Sequence, residues 1–501
     1  MPFLPFNPPL QHSVMNKINP LELPEIRLSI AEHLKKPDLV RCLRVCWSWH
    51  DTFLPLVWEN LSVDNSRSVE QDQDAFTPEV LRSHCHLVTD LYIADWSGNY
   101  PLDFPRIQTL DFHLDKGYTP FLEKYLAPLI RRNQSLVKLH VRSESHGYHC
   151  REWEMLLELP HLRELSLRTT YIHEDGIVRF WIICENLESL ILEGVLFPEG
   201  TTPHAPMCFR NIRKLVLSSV DGMEVKGQFR FISACPNLED LAWSCSSIVS
   251  VDLDNGLEDN GAMGGTYFNE FAKDVGCKRW PRLTSLKIDG QWTEEDTCLI
   301  IEGMQRVKKI NLENTFGPLT FQVLQRHFNN LVELRVETSS EAASKLLQNI
   351  MCSCPALKRL QGGSVLAKDV VEGKPWVCLS LETLIIFFMF SDTEQHLQPL
   401  VFECLAKLTR LEDLYCWAAR MPFHEKYPVP LQFRLQSGLD ALSGLWRMAS
   451  FFPGYDSSLS EEEVRWMLVH WKELVSVTDV NIDDPASINL LKSRGIELCR
   501  F

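Results

Sequence analysis

The chain has 501 residues, of which 45% are hydrophobic and 23% are charged, and its formal net charge is −16 at pH 7. This acidity argues against non-specific binding to nucleic acid or to an anionic membrane surface, because both are themselves negative. The length favours either several ordinary domains or one domain followed by a long repeat array.

The first residues do not resemble a targeting signal. Residues 1–17 are rich in proline, lack the basic segment of a secretory signal peptide and are expected to be disordered. The most apolar run, residues 384–390, is too short to cross a bilayer. None of the 16 cysteines belongs to a Cys-x-x-Cys pair. We therefore expect free thiols, a cytoplasmic or nuclear location, and no membrane partner.

Residues 18–62 are expected to form three helices. Pro24 suits the first turn of a helix, since its missing N–H has no partner there in any case. The apolar residues at 23, 26, 30 and 34 follow helical spacing, and Pro37 is expected to stop this helix. A second helix is predicted to begin near Asp38 and a third near Trp49, which continues through Trp58.

This segment resembles an F-box. The residues that carry the resemblance are Leu23, Pro24, Ile26, Ile30, Leu34, Asp38, Leu39, Val45, Cys46, Trp49 and Trp58. The pattern departs from the family at Glu25, which directly follows the proline where the family more often has one residue between. The resemblance implies docking on a Skp-family adaptor and, through it, on a cullin scaffold. The residues implied, some as docking contacts and some as core, are Leu23, Pro24, Ile26, Ile30, Leu34, Leu39, Val45 and Trp49.

The size of the segment points the same way. About 45 residues barely sustain a core of their own, so apolar helical faces in such a segment normally belong to a partner. The alternative is that these helices only cap the first repeat. Residues 63–80 are polar and acidic and are expected to form a linker.

From residue 81 to residue 501 one spacing recurs: an apolar residue, two free positions, a second apolar residue, one free position and a third apolar residue. Steps between copies are mostly 24 to 26 residues, as from 307 to 331 and from 136 to 162. This is the period of a leucine-rich repeat. The full copies are Val88/Leu91/Ile93, Ile107/Leu110/Phe112, Leu136/Leu139/Val141, Leu162/Leu165/Leu167, Leu187/Leu190/Leu192, Ile212/Leu215/Leu217, Leu238/Leu241/Trp243, Leu283/Leu286/Ile288, Val307/Ile310/Leu312, Leu331/Leu334/Val336, Leu381/Leu384/Ile386 and Leu411/Leu414/Cys416, with degenerate copies at Leu357/Leu360 and Leu474/Val477.

The predicted fold is therefore α/β. A three-helix F-box precedes a solenoid of about 14–15 repeats, with a curved parallel sheet on the concave side and helices on the convex side. Helix-prone stretches precede the strands at residues 177–184, 229–235 and 342–354, and a Pro-x-Leu or Pro-x-Ile step often leads into the strand. Cys184, Cys235 and Cys354 share one repeat position and are interpreted as small buried space-fillers.

Two interruptions break the period. An inserted loop near 252–266, rich in Asp, Asn and Gly, lacks the ligand register of an EF-hand and is interpreted as a flexible acidic loop. The stretch from 411 to 474 leaves room for a degenerate repeat at 439–452 and a helix at 461–471. Residues 485–501 are expected to form a C-terminal cap over the open edge of the sheet.

No catalytic motif stands out in the sequence. The chain lacks a Gly-rich phosphate loop, a Gly-x-Ser-x-Gly elbow and a His-Glu-x-x-His pair. We therefore expect a protein that is not an enzyme and that needs no cofactor or metal.

Recognition is predicted at the free strand positions of the concave face, most of which are polar. Four large side chains interrupt that pattern and are candidate target-binding residues: Ile385, Phe387, Tyr415 and Trp417. The alternative is that the segment 418–473 folds over and buries them.

These features predict a substrate-recognition subunit of a Skp–cullin–F-box ubiquitin ligase, in which the F-box binds the adaptor and the repeats bind an unknown target protein. The alternative is a leucine-rich-repeat scaffold that binds proteins without ligase activity.

Overall fold

The computed structural model of the chain describes most, but not all, of its residues. The described ranges are 19–63, 78–94, 103–114, 126–143, 147–148, 150–203, 207–245, 280–290, 292–313, 315–337, 341–416, 429–454, 459–478 and 485–499. The predicted tail at 1–17, most of the predicted linker and the loop near 252–266 lie outside them. The chain divides into two compact units, Met1–Ser145 with Glu154–Leu162 and His146–Trp153 with Arg163–Phe501.

Three helices open the first unit: α1 (Pro24–Ala31), α2 (Lys36–Cys42) and α3 (Trp47–Glu59). Pro24 lies in the first turn of α1, and Leu23 before it is extended, with φ −78° and ψ 123°. The prediction for Pro37 was wrong. Helix α1 ends at Ala31, and Pro37 lies in the first turn of α2, where a missing N–H breaks no helical hydrogen bond.

The three helices pack around a small core. Ala31, Leu39 and Phe53 are buried together, and the ring of Trp49 meets that of Phe53 edge-on at a centroid distance of 5.3 Å. Helix α3 then runs directly into strand β1 (Asn60–Val63). The helices are therefore continuous with the sheet that follows them.

The rest of the first unit is a parallel sheet. Strand β1 pairs with β2 (Asp90–Ile93), β2 with β3 (Thr109–Leu114) and β3 with β4 (Lys138–Ser143), and the helices are α4 (Pro78–His84) and α5 (Ala127–Arg132). The sheet thus begins earlier than the residue 81 expected from the sequence. Trp58, Leu61 and Val63 are all buried and have the spacing of the repeat template, so Trp58 belongs both to α3 and to the first repeat.

The second unit repeats the same helix–turn–strand arrangement. Its main parallel strands follow one another in chain order, each paired with the next. They are β6 (Glu164–Arg168), β8 (Ser189–Glu193), β9 (Lys214–Ser218), β10 (Asp240–Cys245), β11 (Ser285–Gly290), β12 (Lys309–Glu313), β13 (Glu333–Glu337), β14 (Arg359–Leu366), β15 (Thr383–Phe390), β16 (Asp413–Tyr415), β18 (Ser450–Phe452), β19 (Ser476–Thr478) and β20 (Glu497–Cys499).

Helices and three short strands complete this part of the chain. The helices are α6 (Cys150–Leu157, divided between the units), α7 (Ile177–Cys184), α8 (Val225–Ser233), α9 (Glu294–Glu302), α10 (Pro318–Leu324), α11 (Glu341–Met351), α12 (Ala367–Glu372), α13 (Gln398–Ala406), α14 (Glu461–His470) and α15 (Pro485–Ser493). Strand β5 (Gly147–Tyr148) pairs with β7 (Tyr171–Ile172), and β17 (Val429–Pro430) pairs antiparallel with the end of β15.

Every apolar residue of the predicted repeat template is buried, and none is more than 8% exposed. The strand registers stack equivalent positions: Leu190 lies opposite Leu215, and Leu215 lies opposite Leu241. Burying one such side chain contributes roughly 1.5–3 kcal/mol. The α/β solenoid fold predicted from the spacing is confirmed.

The helices bury large side chains behind the strands. Helix α7 has the predicted bounds, and its Trp181 packs against Phe209 and Phe231 at centroid distances of 5.9 and 5.0 Å. The three cysteines that share a repeat position are fully buried. Burial raises the pKa of each thiol, that of Cys354 to about 12, so the thiols stay protonated at neutral pH.

The C-terminal segment adds to the sheet where a cap was expected. The degenerate repeat supplies β18, and the predicted helix is α14. Residues 485–499 form α15 and β20, and β20 pairs in parallel with β19. The segment therefore repeats the helix–strand unit once more, and β20 is the last strand that the structure describes.

Gly222 gives a test of how tightly neighbouring repeats approach each other. Its φ is +75°, and a Cβ there would lie 1.8 Å from the carbonyl oxygen of Phe197. We expect Gly222→Ala to lower the free energy of unfolding by at least about 3 kcal/mol, because a backbone clash adds to the left-handed strain. The matched control is Gly200→Ala, where φ is +71° but nothing lies within 4 Å. Gly200→Ala should lower the free energy of unfolding, measured by chemical denaturation, by only about 1–2 kcal/mol. Equal losses of stability in the two variants would contradict the argument.

Glu463 gives a pH-dependent test of the C-terminal repeats. Burial alone would raise the pKa of this carboxyl group, but hydrogen bonds from Ser460, from the Leu435 N–H and from Arg434 outweigh burial and lower it. Because the folded pKa lies below the unfolded one, the ionised group contributes stability above about pH 4.3 that is lost as pH falls through the folded pKa. We expect Glu463→Gln to lower the melting temperature at pH 7, and the difference from the parent chain should vanish at low pH. Glu462→Gln, an exposed neighbour on α14, should show no such pattern.

Candidate partner-binding surfaces

Helices α1–α3 and the turns beside them expose large apolar side chains that no described part of the chain covers. Leu23 and Ile26 are each 40% exposed, Val45 is 60% exposed and Trp47 is 82% exposed. Leu21, Leu28 and Val40 are exposed as well. So many exposed large apolar side chains on one small helical domain are typical of a protein-binding site.

Hydrogen bonds hold one edge of this surface in place. The buried side chain of Arg27 donates through Nη2 to the carbonyl oxygen of Glu22 at 3.1 Å. The N–H of Leu21 donates to Oδ1 of Asn19, also at 3.1 Å. These bonds fix the turn that precedes α1, and with it the positions of Leu21 and Leu23 beside the helix.

A second surface is an open groove of about 610 Å³ on the exposed side of strands β11–β16. The strand registers align its lining residues in two columns that cross the strands. The first column is Ser285, Lys309, Glu333, Arg359, Thr383 and Asp413. The second column is Lys287, Asn311, Arg335, Gln361, Ile385 and Tyr415.

Polar contacts hold the acidic side chains of the groove. Nζ of Lys309 lies 3.4 Å from Oε2 of Glu333. The hydroxyl of Thr383 donates to Oδ2 of Asp413 at 3.0 Å. Both carboxylates of the groove therefore already have partners within the groove itself.

Two of the four predicted target-binding residues come together in this groove. Ile385 and Tyr415 are register partners on β15 and β16, and both are half-buried. Trp417 lies outside the described residues, as do residues 418–428 of the segment that could have covered the cluster. Residues 429–430 pair with the end of β15 and leave Ile385 and Tyr415 partly exposed.

The prediction for Phe387 stays a prediction, and this half-buried residue lies apart from the groove. Phe387 does not line the groove but packs against Leu366 and Met389. The register between β14 and β15 shifts between Gln361 and Ser364. The alternation of half-buried and buried residues continues through Phe388 and is then lost, since Met389 and Phe390 are both buried as well.

Within the described ranges, no group of three or more His, Cys, Asp or Glu side chains is arranged to hold a metal ion. In the same ranges, no helix has the length and apolar character needed to cross a membrane.

Comparison with known families identifies the helical segment. Residues 24–64 match the family model described as F-box-like. These residues form an F-box-like domain. The match covers α1, α2, α3 and β1, and so includes the first strand of the repeat sheet.

Two solved leucine-rich structures are similar to the chain at low sequence identity. An internalin from Listeria monocytogenes is 12% identical, with 85% of this chain and 90% of that chain covered and a TM-score of 0.29. The chain in a complex of TLR13 with ssRNA13 is 13% identical, with 85% of this chain and 57% of that chain covered and a TM-score of 0.36. Among curated proteins, no sequence matches the chain.

The predicted adaptor-binding residues fall into two groups within the F-box-like domain. Leu23, Pro24, Ile26 and Val45 are exposed and available to a partner. Leu39 is buried in the core, Leu34 and Trp49 pack against that core, and Ile30 is half-buried.

The most exposed aromatic residue of the F-box-like domain was missed. Trp47 and Trp49 are both in the first turn of α3, but two helical positions place them on different faces. Trp49 faces Phe53 four residues later, so Trp47 must point away from the core. The sequence contains this signal, but it requires the register of α3 relative to Phe53.

Proposed function

We propose that the chain is a substrate-recognition subunit of a Skp–cullin–F-box ubiquitin ligase. The observation that carries the proposal is the pairing of an F-box-like domain, whose apolar surface is open, with a long repeat sheet that has an open groove. In this role the F-box-like domain docks on a Skp-family adaptor, and the repeats bind a target protein destined for degradation. Such a role places the protein in the cytoplasm or the nucleus.

The exposed side chains have the composition of an interface centre. Trp is among the residues most enriched in binding hot spots, and Trp47, 82% exposed, belongs to the same small domain as the exposed aliphatic side chains. A hot-spot side chain contributes about 2 kcal/mol or more when truncated to alanine. That corresponds to roughly a thirtyfold change in affinity.

The chain itself performs no chemistry in this proposal. By holding a target and a ligase scaffold at once, it raises the effective concentration of the target near the ubiquitin-charged enzyme. The alternative is a scaffold that binds the same partners without directing degradation. The ligase subunit and the scaffold are distinguished by whether a cullin is present in the complex and by whether the level of the target protein changes.

Point substitutions test this proposal better than deletion of the whole domain. The ring of Trp58 stacks on His84 at a centroid distance of 4.5 Å, and Nζ of Lys36 donates to the carbonyl oxygen of Asn60 at 2.6 Å. Removing residues 18–62 would take away these contacts together with β1. A loss of function after the deletion would then reflect damage to the first repeats as well as the loss of the adaptor-binding surface.

We expect Trp47→Ala, and separately Leu23→Ala with Pro24→Ala, to weaken binding of the full chain to a Skp-family adaptor at least tenfold. The measurement is titration of purified adaptor against each variant, followed by immunoprecipitation from cells to detect a cullin. The matched control is Val469→Ala, an exposed apolar residue on α14 that should have no effect. Adaptor affinity equal to that of the parent chain in both F-box variants would sink the proposal. Adaptor binding without a cullin, and with unchanged target levels, would favour the scaffold.

A further inference from the structure

The groove across β11–β16 differs in charge from the rest of the protein. The whole chain has 50 basic and 66 acidic residues. The groove is lined by four basic side chains, Lys287, Lys309, Arg335 and Arg359, and by two acidic ones, Glu333 and Asp413. The groove therefore reverses the charge balance of the chain.

We propose that this groove binds an extended acidic peptide segment of the target, with an apolar side chain of that peptide seated at Ile385 and Tyr415. The inference rests on the proposed function, since it names the class of target segment that the repeats recognise. Electrostatic complementarity of this kind selects partners and orients them.

Arg359 offers cationic charge to a ligand in the groove. Glu333 is already paired with Lys309, and Asp413 accepts a hydrogen bond from Thr383. Arg359 lies in the same column as both, and within the described part of the chain no carboxylate oxygen is within 4.0 Å of its guanidinium. An incoming carboxylate can therefore bind Arg359 without breaking an existing ion pair of that residue.

The spacing of the cations indicates several single charges on the ligand. The four basic residues lie on four successive strands and alternate between the two columns. Neighbouring strands are about 4.8 Å apart, so these residues span about 14 Å of the sheet. A phosphate dianion is bound best by cations that converge on one point. Cations spread in a zigzag fit glutamate or aspartate carboxylates distributed along an extended chain.

The apolar end of the groove gives the peptide a direction. Ile385 and Tyr415 lie on β15 and β16, directly beyond the strands that carry the cations. The whole groove crosses six strands, or about 24 Å, which an extended peptide spans with about seven residues. A ligand therefore places its carboxylates over β11–β14 and a hydrophobic residue over β15–β16.

The test is binding of the full chain to an array of seven-residue peptides. Three positions of each peptide carry Glu, and one neighbouring position carries Phe, Leu, Ile or Trp in each possible register. In one matched array every Glu is replaced by Gln. In a second matched array one of the three Glu positions carries phosphoserine and the other two carry Ser. We expect the Glu array to bind at least tenfold more strongly than the Gln array, and binding should fall as salt is raised. Equal binding to the Glu and Gln arrays, or no binding to either, would overturn the proposal. Stronger binding to the phosphoserine array would overturn the assignment of carboxylates.

Variants of the chain then locate the site with the best Glu peptide in fluorescence anisotropy. Arg335→Gln with Arg359→Gln should weaken binding at least tenfold, and Tyr415→Ala should remove the preference for a hydrophobic residue. The matched control, Lys226→Gln with Arg230→Gln, removes two exposed charges from α8 and should change affinity less than twofold. Loss of binding in the control but not in the groove variants would place the peptide elsewhere.

The two proposals fail independently. These measurements use the chain without adaptor, whereas the Trp47 experiment uses adaptor without peptide. Intact adaptor binding with no peptide preference would remove only the inference about the groove. Peptide binding at the groove without adaptor binding would remove only the ligase role.

Discussion

The fold depends on one constraint, which is that no repeat strand can bury its apolar side chains without a neighbour. Leu187, Leu190 and Leu192 are fully buried only because the strands and helices on either side cover them. The next strand in turn needs its own neighbour, so the stack grows by the same step each time. Because this constraint fixes the inward positions, the outward positions of each strand are free to vary without cost to the fold.

The same constraint explains how the F-box-like domain is attached. Its third helix ends at Glu59, and Trp58 just before that end is both the last apolar residue of the helix and the first apolar position of the repeat spacing. The first strand can therefore form directly after the helix, with Leu61 opposite Leu91. The small helical core of Ala31, Leu39 and Phe53 is joined to a sheet that supplies additional burial. The large apolar side chains that the helices expose stay uncovered by the described part of the chain.

A feature could be predicted from the sequence when it depends on residues close together in the chain, and not when it depends on contact with a distant segment. The repeat leucines and helix α7 depend on local spacing, and all of them were placed correctly. The sequence did not show that Phe387 packs against Leu366 on the neighbouring strand, because the register between these strands shifts after Gln361. Trp47 was missed because its exposure depends on which face of α3 meets Phe53. The positions of these two side chains were missed because each is set by a second element.

The groove shows why the overall charge of a repeat protein says little about its binding surface. Residues about 25 positions apart in sequence, such as Lys309, Glu333 and Arg359, become neighbours because the strands are in register. A small number of basic residues at that period is enough to build a groove with an excess of basic side chains on a chain with net charge −16. The Debye length near physiological salt is about 8 Å, so acidic groups on distant helices hardly affect a ligand held in the groove. Local register, and not composition, therefore decides the chemistry of this surface.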